Sequence, residues 1–110
     1  FIFSKDEGKL VENLVFVELK RRNASLYYWK GKGEVDFVIK NNDQTLNAIN
    51  VSYTDKIDER EQKSLTEFEK EFKQQTKALT IITNDTEKKE GNTQYIPLWK
   101  WLLTDEKAKQ

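Results

Sequence analysis

A few acidic side chains in this sequence have the types and positions that metal-assisted chemistry uses. Asp36 lies in the β-prone run of residues 34–39, and Glu12 lies in an earlier run with helical spacing. Carboxylates are hard oxygen ligands that suit magnesium, and a magnesium ion held by them can activate water for hydrolysis. Asp36 is therefore a candidate metal ligand.

The next β-prone run, residues 48–52, carries Asn50 and Ser52 where such a site would need charged groups. Side chains alternate between the faces of a strand, so these two point to the same side. An amide oxygen can ligate magnesium but brings no negative charge, and a serine cannot supply the positive charge that a lysine gives to a transition state. Lys40, on the strand of Asp36, is the candidate for a lysine that has moved into the site.

Glu12 and Asp36 each have two interpretations. Glu12 is followed by Phe16 and Leu19 at helical spacing, so it lies beside apolar surface. It is either a metal ligand or the anchor of a hydrogen-bond network with Asp36 or Arg60. Asp36 stands in an otherwise apolar strand and needs a partner on whichever side it points.

The amino-acid composition excludes several kinds of functional site. The 110 residues are enough for one domain, and the absence of cysteine and histidine excludes disulfides, thiolate or imidazole metal sites and triads that need these residues. No apolar stretch approaches the roughly 20 residues of a membrane span, and no signal peptide is visible. A cytoplasmic protein without membrane contact is expected.

The zero net charge of the chain argues against nucleic-acid binding. The 19 basic and 19 acidic residues give a formal net charge of zero, which is unlike a domain that holds nucleic acid by its phosphates. A basic run at residues 20–22 and aromatic side chains at residues 27–29 leave a nucleic-acid surface as an alternative, although strand aromatics are more often core or cross-strand pairs.

The pattern predicts an α/β (α+β) domain in the order αβββαβ, with a mixed sheet of four to five strands flanked by helices. The first helix has one broad apolar face, and the second begins with Asp58 as N-cap. The first three strands form an antiparallel meander, with a hairpin turn rather than a phosphate loop at residues 31–33, and the fourth joins through a parallel crossover. The segment 84–93 is predicted as a surface loop, and Pro97 places the last strand at an edge. The predicted helices are residues 9–22, 58–74 and 99–103, and the predicted strands are residues 26–30, 34–40, 46–53, 78–83 and 95–98.

Six short motifs in this order resemble the restriction-endonuclease-like fold of the Asp...(Glu/Gln)-x-Lys type. More narrowly, the sequence is similar to the DUF4143-like C-terminal domain that follows an AAA-type ATPase module in a large family of prokaryotic ATPases. Each motif alone is weak, and together they cover almost the whole chain. They are residues 8–15, 26–29, 34–38, 49–53, 59–61 and 96–103.

The resemblance implies a magnesium site in which Glu12 and Asp36 match the family's acidic ligands. Asn50 and Ser52 depart from it, because active members carry a glutamate and a lysine there. The resemblance also implies that residues 1–110 form a single domain cut from a larger ATPase. The ATP site and the partner module would lie elsewhere in that parent chain. The expected function is a catalytically inactive accessory domain for interaction or regulation. The alternatives are a magnesium-dependent nuclease with a rearranged site and a nucleic-acid-binding module without chemistry.

Overall fold

The computed structural model describes residues 5–54 and 59–104. Their elements follow the order α1 (Lys5–Arg21), β1 (Ser25–Lys30), β2 (Glu34–Lys40), β3 (Leu46–Ser52), α2 (Glu59–Glu71), β4 (Thr76–Thr83), β5 (Lys88–Glu90), β6 (Thr93–Pro97) and α3 (Leu98–Leu102). The six strands form one mixed sheet in the order β1-β2-β3-β4-β6-β5. The predicted α/β class is confirmed.

The pairing of the strands divides the sheet into three parts. Strands β1, β2 and β3 form the predicted antiparallel meander, and β4 joins β3 in the parallel sense. Strand β6 lies parallel to β4, and β5 closes the sheet antiparallel to β6. Parallel neighbours need a long connection, and α2 supplies it between β3 and β4.

Alternate residues of the central strands contribute to two cores, because successive side chains point to opposite faces. On one face, Ala48 and Ile81 pack with Leu65 and Phe68 of α2. On the other face, the neighbouring residues Ile49 and Ile82 pack with α1 and α3. The sheet therefore lies between α2 and the α1–α3 layer.

The first helix differs from its prediction in extent and in the width of its buried face. It begins at Lys5 and includes Gly8, and it ends before Asn23, whose φ of 60° reverses the chain as at many helix ends. One broad apolar face was expected, and this expectation is wrong. The residues Val11, Val15 and Leu19 are buried, whereas Leu10, Leu14 and Val17 are exposed.

The C-terminal part of the sheet also corrects the sequence predictions. Residues 88–90 form β5 instead of the tip of a loop, and β6 lies between β4 and β5 instead of at an edge. A two-residue turn makes this possible, because Gly91 has a φ of 60° and Glu90 pairs with Thr93. Pro97 is the last residue of β6 and lies opposite Thr83, where the missing N–H does not interrupt the ladder. The Asp58 N-cap lies outside the described residues.

The turn between β1 and β2 is fixed against α2. The Glu67 carboxylate accepts hydrogen bonds from the backbone N–H groups of Lys32 at 2.8 Å and Gly33 at 3.0 Å, and these bonds lower its pKa. A Cβ at Gly33 would lie 2.1 Å from the Ser64 Oγ, so close contact with α2 requires glycine there. The Trp29 Nε1 donates to Glu71 at 2.8 Å. The start of β2 is therefore held rigidly to α2.

Candidate functional site

The predicted site residues of β2 and β3 lie where these two strands separate. Backbone pairing between β2 and β3 runs from Lys40↔Leu46 to Phe37↔Ile49 and stops there. Beyond it, Val35 pairs with β1 and residues 50–52 pair with β4. We call this opening, bounded by residues 34–36 and 50–52, the fork.

Side chains replace the missing backbone ladder in the fork. The Asp36 N–H donates to the Asn50 Oδ1 at 2.7 Å, and the Val51 N–H donates to the Asp36 Oδ2 at 3.1 Å. The Asn50 Nδ2 donates to the carbonyl of Glu34 at 3.1 Å and to the carbonyl of Glu61, in the first turn of α2, at 3.3 Å. The fork is therefore closed by two side chains and tied to α2.

Asn50 is fully buried, with 0% of its surface exposed. Its amide oxygen accepts one hydrogen bond and its amide nitrogen donates two, so the complete side chain is satisfied by the protein. A carboxylate of the same shape could accept but could not donate to the two carbonyls. The side chain of Asn50 thus has a structural role that needs an amide.

A β-bulge shapes β2 beside the fork. Tyr27 pairs with Val38 and Trp29 with Val35, so Asp36 and Phe37 together stand opposite the single residue Tyr28. Val35 and Val38 both pack in the core that faces α2, which shows that simple alternation fails between them. Faces counted from the sequence therefore cannot be carried across Asp36.

Lys40 lies away from the fork. It is exposed at the far end of β2, paired with Ser25 and Leu46. Four residues of extended chain separate it from Asp36, a distance of about 13 Å along the strand. The alternation that would place it on the face of Asp36 does not hold across the bulge.

Acidic side chains gather on the outer part of the fork. Burial raises the pKa of Asp36 to about 6, and the negative charges of Glu12 and Glu34 contribute to the rise, while the Val51 N–H opposes it. Burial also raises the pKa of Glu12. In the described part of the chain no hydrogen bond joins Glu12 to Asp36, so their carboxyl groups interact through charge.

Two members of this group were not predicted from the sequence. The Glu34 carboxylate lies near the Tyr28 hydroxyl and raises the pKa of that phenol. Glu34 stands two residues before Asp36, a strand spacing that could have drawn attention to it. Tyr28 joins only through the register of β1 on β2, for which the sequence carries no signal.

Ser52 brings no charge to the fork. It is 4% exposed and lies beside Thr83 of β4, and its hydroxyl has no hydrogen-bond partner among the residues that the structure describes. The resemblance to nucleases implies a lysine at this position. A buried, neutral hydroxyl cannot stabilise an anionic transition state as a lysine would.

The side chains of the fork do not fit a magnesium site of the kind that the resemblance implies. The Asn50 Oδ1 is already occupied by the Asp36 N–H, and the Asp36 Oδ2 accepts from Val51. Within residues 5–54 and 59–104 no three acidic side chains are placed to hold a metal ion together. Asn50 and Ser52 are neutral, so they add no negative charge that would attract a divalent cation.

The basic run at the end of α1 is engaged within the domain. Arg21 and Arg22 both donate to Glu18 at 2.7 Å and lower its pKa to about 2. The Arg22 guanidinium also lies 4.6 Å from the ring centre of Trp101, and its Nη2 donates to the Trp101 carbonyl at 3.2 Å. The side chain of Arg22 thus joins α1 to α3.

The chain belongs to the family described as a domain of unknown function, DUF4143, whose match covers residues 7–101. It is also similar to the uncharacterized protein MJ1544 of Methanocaldococcus jannaschii, with 37% identity over 115 residues. That alignment covers 93% of this chain and 26% of the archaeal protein, so the chain spans about a quarter of that relative's length. No solved structure matches the chain. No helix in the described ranges is long and apolar enough to cross a membrane.

Replacement of Asn50 should destabilise the fold strongly. Asn50→Ala leaves the Asp36 N–H without its side-chain acceptor and takes a donor from the carbonyls of Glu34 and Glu61, and each buried group left unsatisfied costs about 1–3 kcal/mol. We expect a loss of about 3–5 kcal/mol in the free energy of unfolding, measured by urea denaturation.

Two further variants separate the hydrogen bonds from the size of the side chain. Asn50→Asp keeps the shape but cannot donate, so it should also destabilise, and more at pH 7 than at pH 4 because the carboxylate is then charged. Asn42→Ala, at an exposed turn position, should stay within about 0.5 kcal/mol of the parent chain. An Asn50→Ala protein as stable as Asn42→Ala would contradict the assigned role.

Asp36 should make stability depend on pH. Its folded-state pKa is raised from 3.8 to about 6, so its favourable contribution is complete below pH 3.8 and is lost as the pH rises through 6. Asp36→Asn, which still accepts from Val51, should therefore be more stable than the parent chain above pH 6, by up to about 3 kcal/mol. Below pH 4 the difference should vanish.

Urea denaturation at pH 4, 5, 6.5 and 7.5 checks this expectation. Asp43→Asn is the control of opposite sign, because hydrogen bonds from Thr45 lower the pKa of Asp43 and its charged form stabilises the fold. A difference between Asp36→Asn and the parent chain that stays constant over this range would refute the assignment.

Proposed function

We propose that this chain is an accessory domain of a larger ATPase, with a nuclease-like architecture but without nuclease activity, that serves in interaction or regulation. The observation that best supports the absence of nuclease activity is the buried amide of Asn50. The position from which a nuclease would hold its metal is occupied by a side chain whose three hydrogen bonds all go to the protein. Recruiting that oxygen for a metal would break the bond that closes the fork.

The charges of the site support the same proposal. Asp36 and Glu12 are the two acids that match active relatives of the fold, and both have raised pKa values. The positive charge of Lys9 partly offsets the rise in the pKa of Glu12. However, Ser52 is neutral and Lys40 lies at the other end of β2, so neither brings a cation to Asp36. Catalysis of phosphodiester cleavage depends on positive charge where negative charge develops.

The ATPase half of the proposal rests on the sequence resemblance and on chain length. This domain makes up 26% of the length of its archaeal relative, which leaves ample room there for another module. The described residues contain no glycine-rich loop before a helix that could cradle phosphates, because the glycines at positions 31 and 33 form a hairpin turn against α2. Nucleotide binding is therefore assigned to the remainder of the parent protein.

The basic and aromatic surface gives less support to nucleic-acid binding. The guanidinium of Arg22 is stacked on Trp101, and the Trp29 indole is bonded to Glu71. A stacking platform for bases needs exposed rings beside cations that can reach phosphates. Tyr27 and Tyr28 are exposed, but the carboxylate of Glu34 lies beside the Tyr28 hydroxyl.

The purified chain should not cleave linear DNA, supercoiled DNA or RNA in magnesium or manganese beyond the level of its Asp36→Ala variant. Its melting temperature should also not rise with millimolar magnesium, because the residues that the structure describes contain no complete ligand set. Gel assays and thermal denaturation give the two measurements. Cleavage that needs a divalent metal and disappears in Asp36→Ala would establish instead a magnesium-dependent nuclease with a rearranged site.

The full-length parent protein should bind ATP through a P-loop outside this domain. Binding of a fluorescent ATP analogue should disappear when the P-loop lysine is changed to alanine, and should persist in Asn42→Ala within this domain. The isolated 110 residues should not bind the analogue. A parent sequence without a P-loop, or nucleotide binding by the isolated domain, would refute the assignment to an ATPase accessory domain.

A further inference from the structure

The outer side of α1 carries an apolar stripe that no described residue covers. Leu10, Leu14 and Val17 are 69%, 44% and 62% exposed. Successive residues of a helix are about 100° apart, so these three lie within an arc of about 60°. Their arc is centred about 130° around the helix from the buried residues of α1.

Oppositely charged residues stand at the two ends of the stripe. Glu7 lies three residues before Leu10, and Arg21 lies four residues after Val17. The series therefore advances by 3, 4, 3 and 4 residues, the spacing of the seam along which two helices pack in a coiled coil. One end of the seam is acidic and the other is basic.

The charges of the stripe are complementary to those of a second copy whose helix runs in the opposite direction. Glu7 and Arg21 are each seven residues from Leu14, so a two-fold axis at Leu14 brings each Glu7 to the Arg21 of the second copy. Helices that run in the same direction would instead place like charges together. Antiparallel packing also aligns the helix dipoles favourably.

We propose that the chain forms a two-fold symmetric dimer through the outer face of α1, with the helices antiparallel and Leu14 at the axis. Arg21 already binds Glu18, but 70% of its side chain is exposed, so a second carboxylate can approach the guanidinium. The inference is independent of the ATPase and nuclease assignments, because it uses only α1.

The interface is small, which determines how it must be measured. A stable protein interface buries about 800 Å² per partner, and one face of a 17-residue helix supplies less. We therefore expect dissociation in the range of about 10–500 µM. Dimers should exchange rapidly and should dominate only in concentrated solution.

Engineered cysteines provide the first test, because the chain contains no cysteine of its own. Leu14→Cys should form a disulfide-linked dimer under mild oxidation, since residues on a two-fold axis meet their own copies. Trp99→Cys, at a position of similar exposure on α3, is the matched control and should link at least tenfold more slowly. Equal rates for the two variants would overturn the proposal.

The direction of the helices is tested by two further variants. In an antiparallel pair the two Glu7 positions lie about 21 Å apart, whereas Glu7 lies beside the Arg21 of the second copy. An equimolar mixture of Glu7→Cys and Arg21→Cys should therefore give a cross-linked heterodimer, and neither variant alone should link. Efficient linkage of Glu7→Cys to itself would show parallel pairing and refute the geometry.

Analytical ultracentrifugation of the unmodified chain tests association without a covalent bond. The average mass should rise from 13.1 kDa toward twice that value with concentration, and Leu14→Glu should remain monomeric. Phe16→Glu introduces the same charge at a position of similar exposure, about 130° around the helix from the centre of the stripe, and should still dimerise. Circular dichroism checks that both variants are folded. An unmodified chain that stays monomeric at 1 mM would overturn the dimer.

Discussion

The buried amide of Asn50 is the constraint on which the centre of this fold depends. Strand β2 continues along β1 and strand β3 continues along β4, so the two must separate. Separation exposes backbone groups inside a closed region, where each unpaired group is costly. One asparagine meets the need, because it accepts from one strand and donates to that strand and to α2. Asn50 therefore joins β2, β3 and α2 at this point, and we call these hydrogen bonds the Asn50 joint.

This joint and a metal site make opposite demands on the same position. A metal needs a deprotonated oxygen that points into the opening, whereas the joint needs a donor that points to two carbonyls. Glu12, Glu34 and Asp36 already place three acids around the opening, and the pKa of Asp36 rises to about 6 as a result of burial and of these charges. A fourth carboxylate in place of Asn50 would increase this repulsion. The neutral amide of Asn50 adds no further negative charge to this group.

Much of the architecture could be predicted from the sequence, because periodicity reports burial directly. The antiparallel meander, α2 and the parallel β4 follow from strand alternation, helical spacing and an apolar run, and each is present. Strand β5 was missed because Lys88, Lys89 and Glu90 are all exposed and carry no apolar pattern. It forms because the turn at Gly91 returns the chain onto β6, and its addition moves β6 away from the edge.

The candidate site was less predictable, for a reason that lies in the bulge of β2. Residue types identified Glu12, Asp36, Asn50 and Ser52 as positions of interest. Their roles depend on the register of three strands and on where α2 begins, which are tertiary facts. The extra residue at Asp36 and Phe37 also reverses the faces counted from sequence, so a lysine that seemed to share the face of Asp36 cannot be assumed to do so. Short-range spacing identified the residues but not their partners.

Helix α1 gives a second example of what the sequence pattern alone does not show. Six apolar residues at helical spacing were expected to form one wide buried face, yet a sheet below a single helix covers only a narrow arc of it. Three of the six pack on the sheet beside Ile49 and Ile82, and the other three face solvent. Exposed apolar area on a folded chain favours association, since its removal from water contributes about 25 cal/mol per Å². A helix whose apolar residues span a wider arc than the sheet can cover therefore indicates a second contact surface. In α1 this surface has opposite charges at its two ends, so it is complementary to the same surface of a second, antiparallel copy.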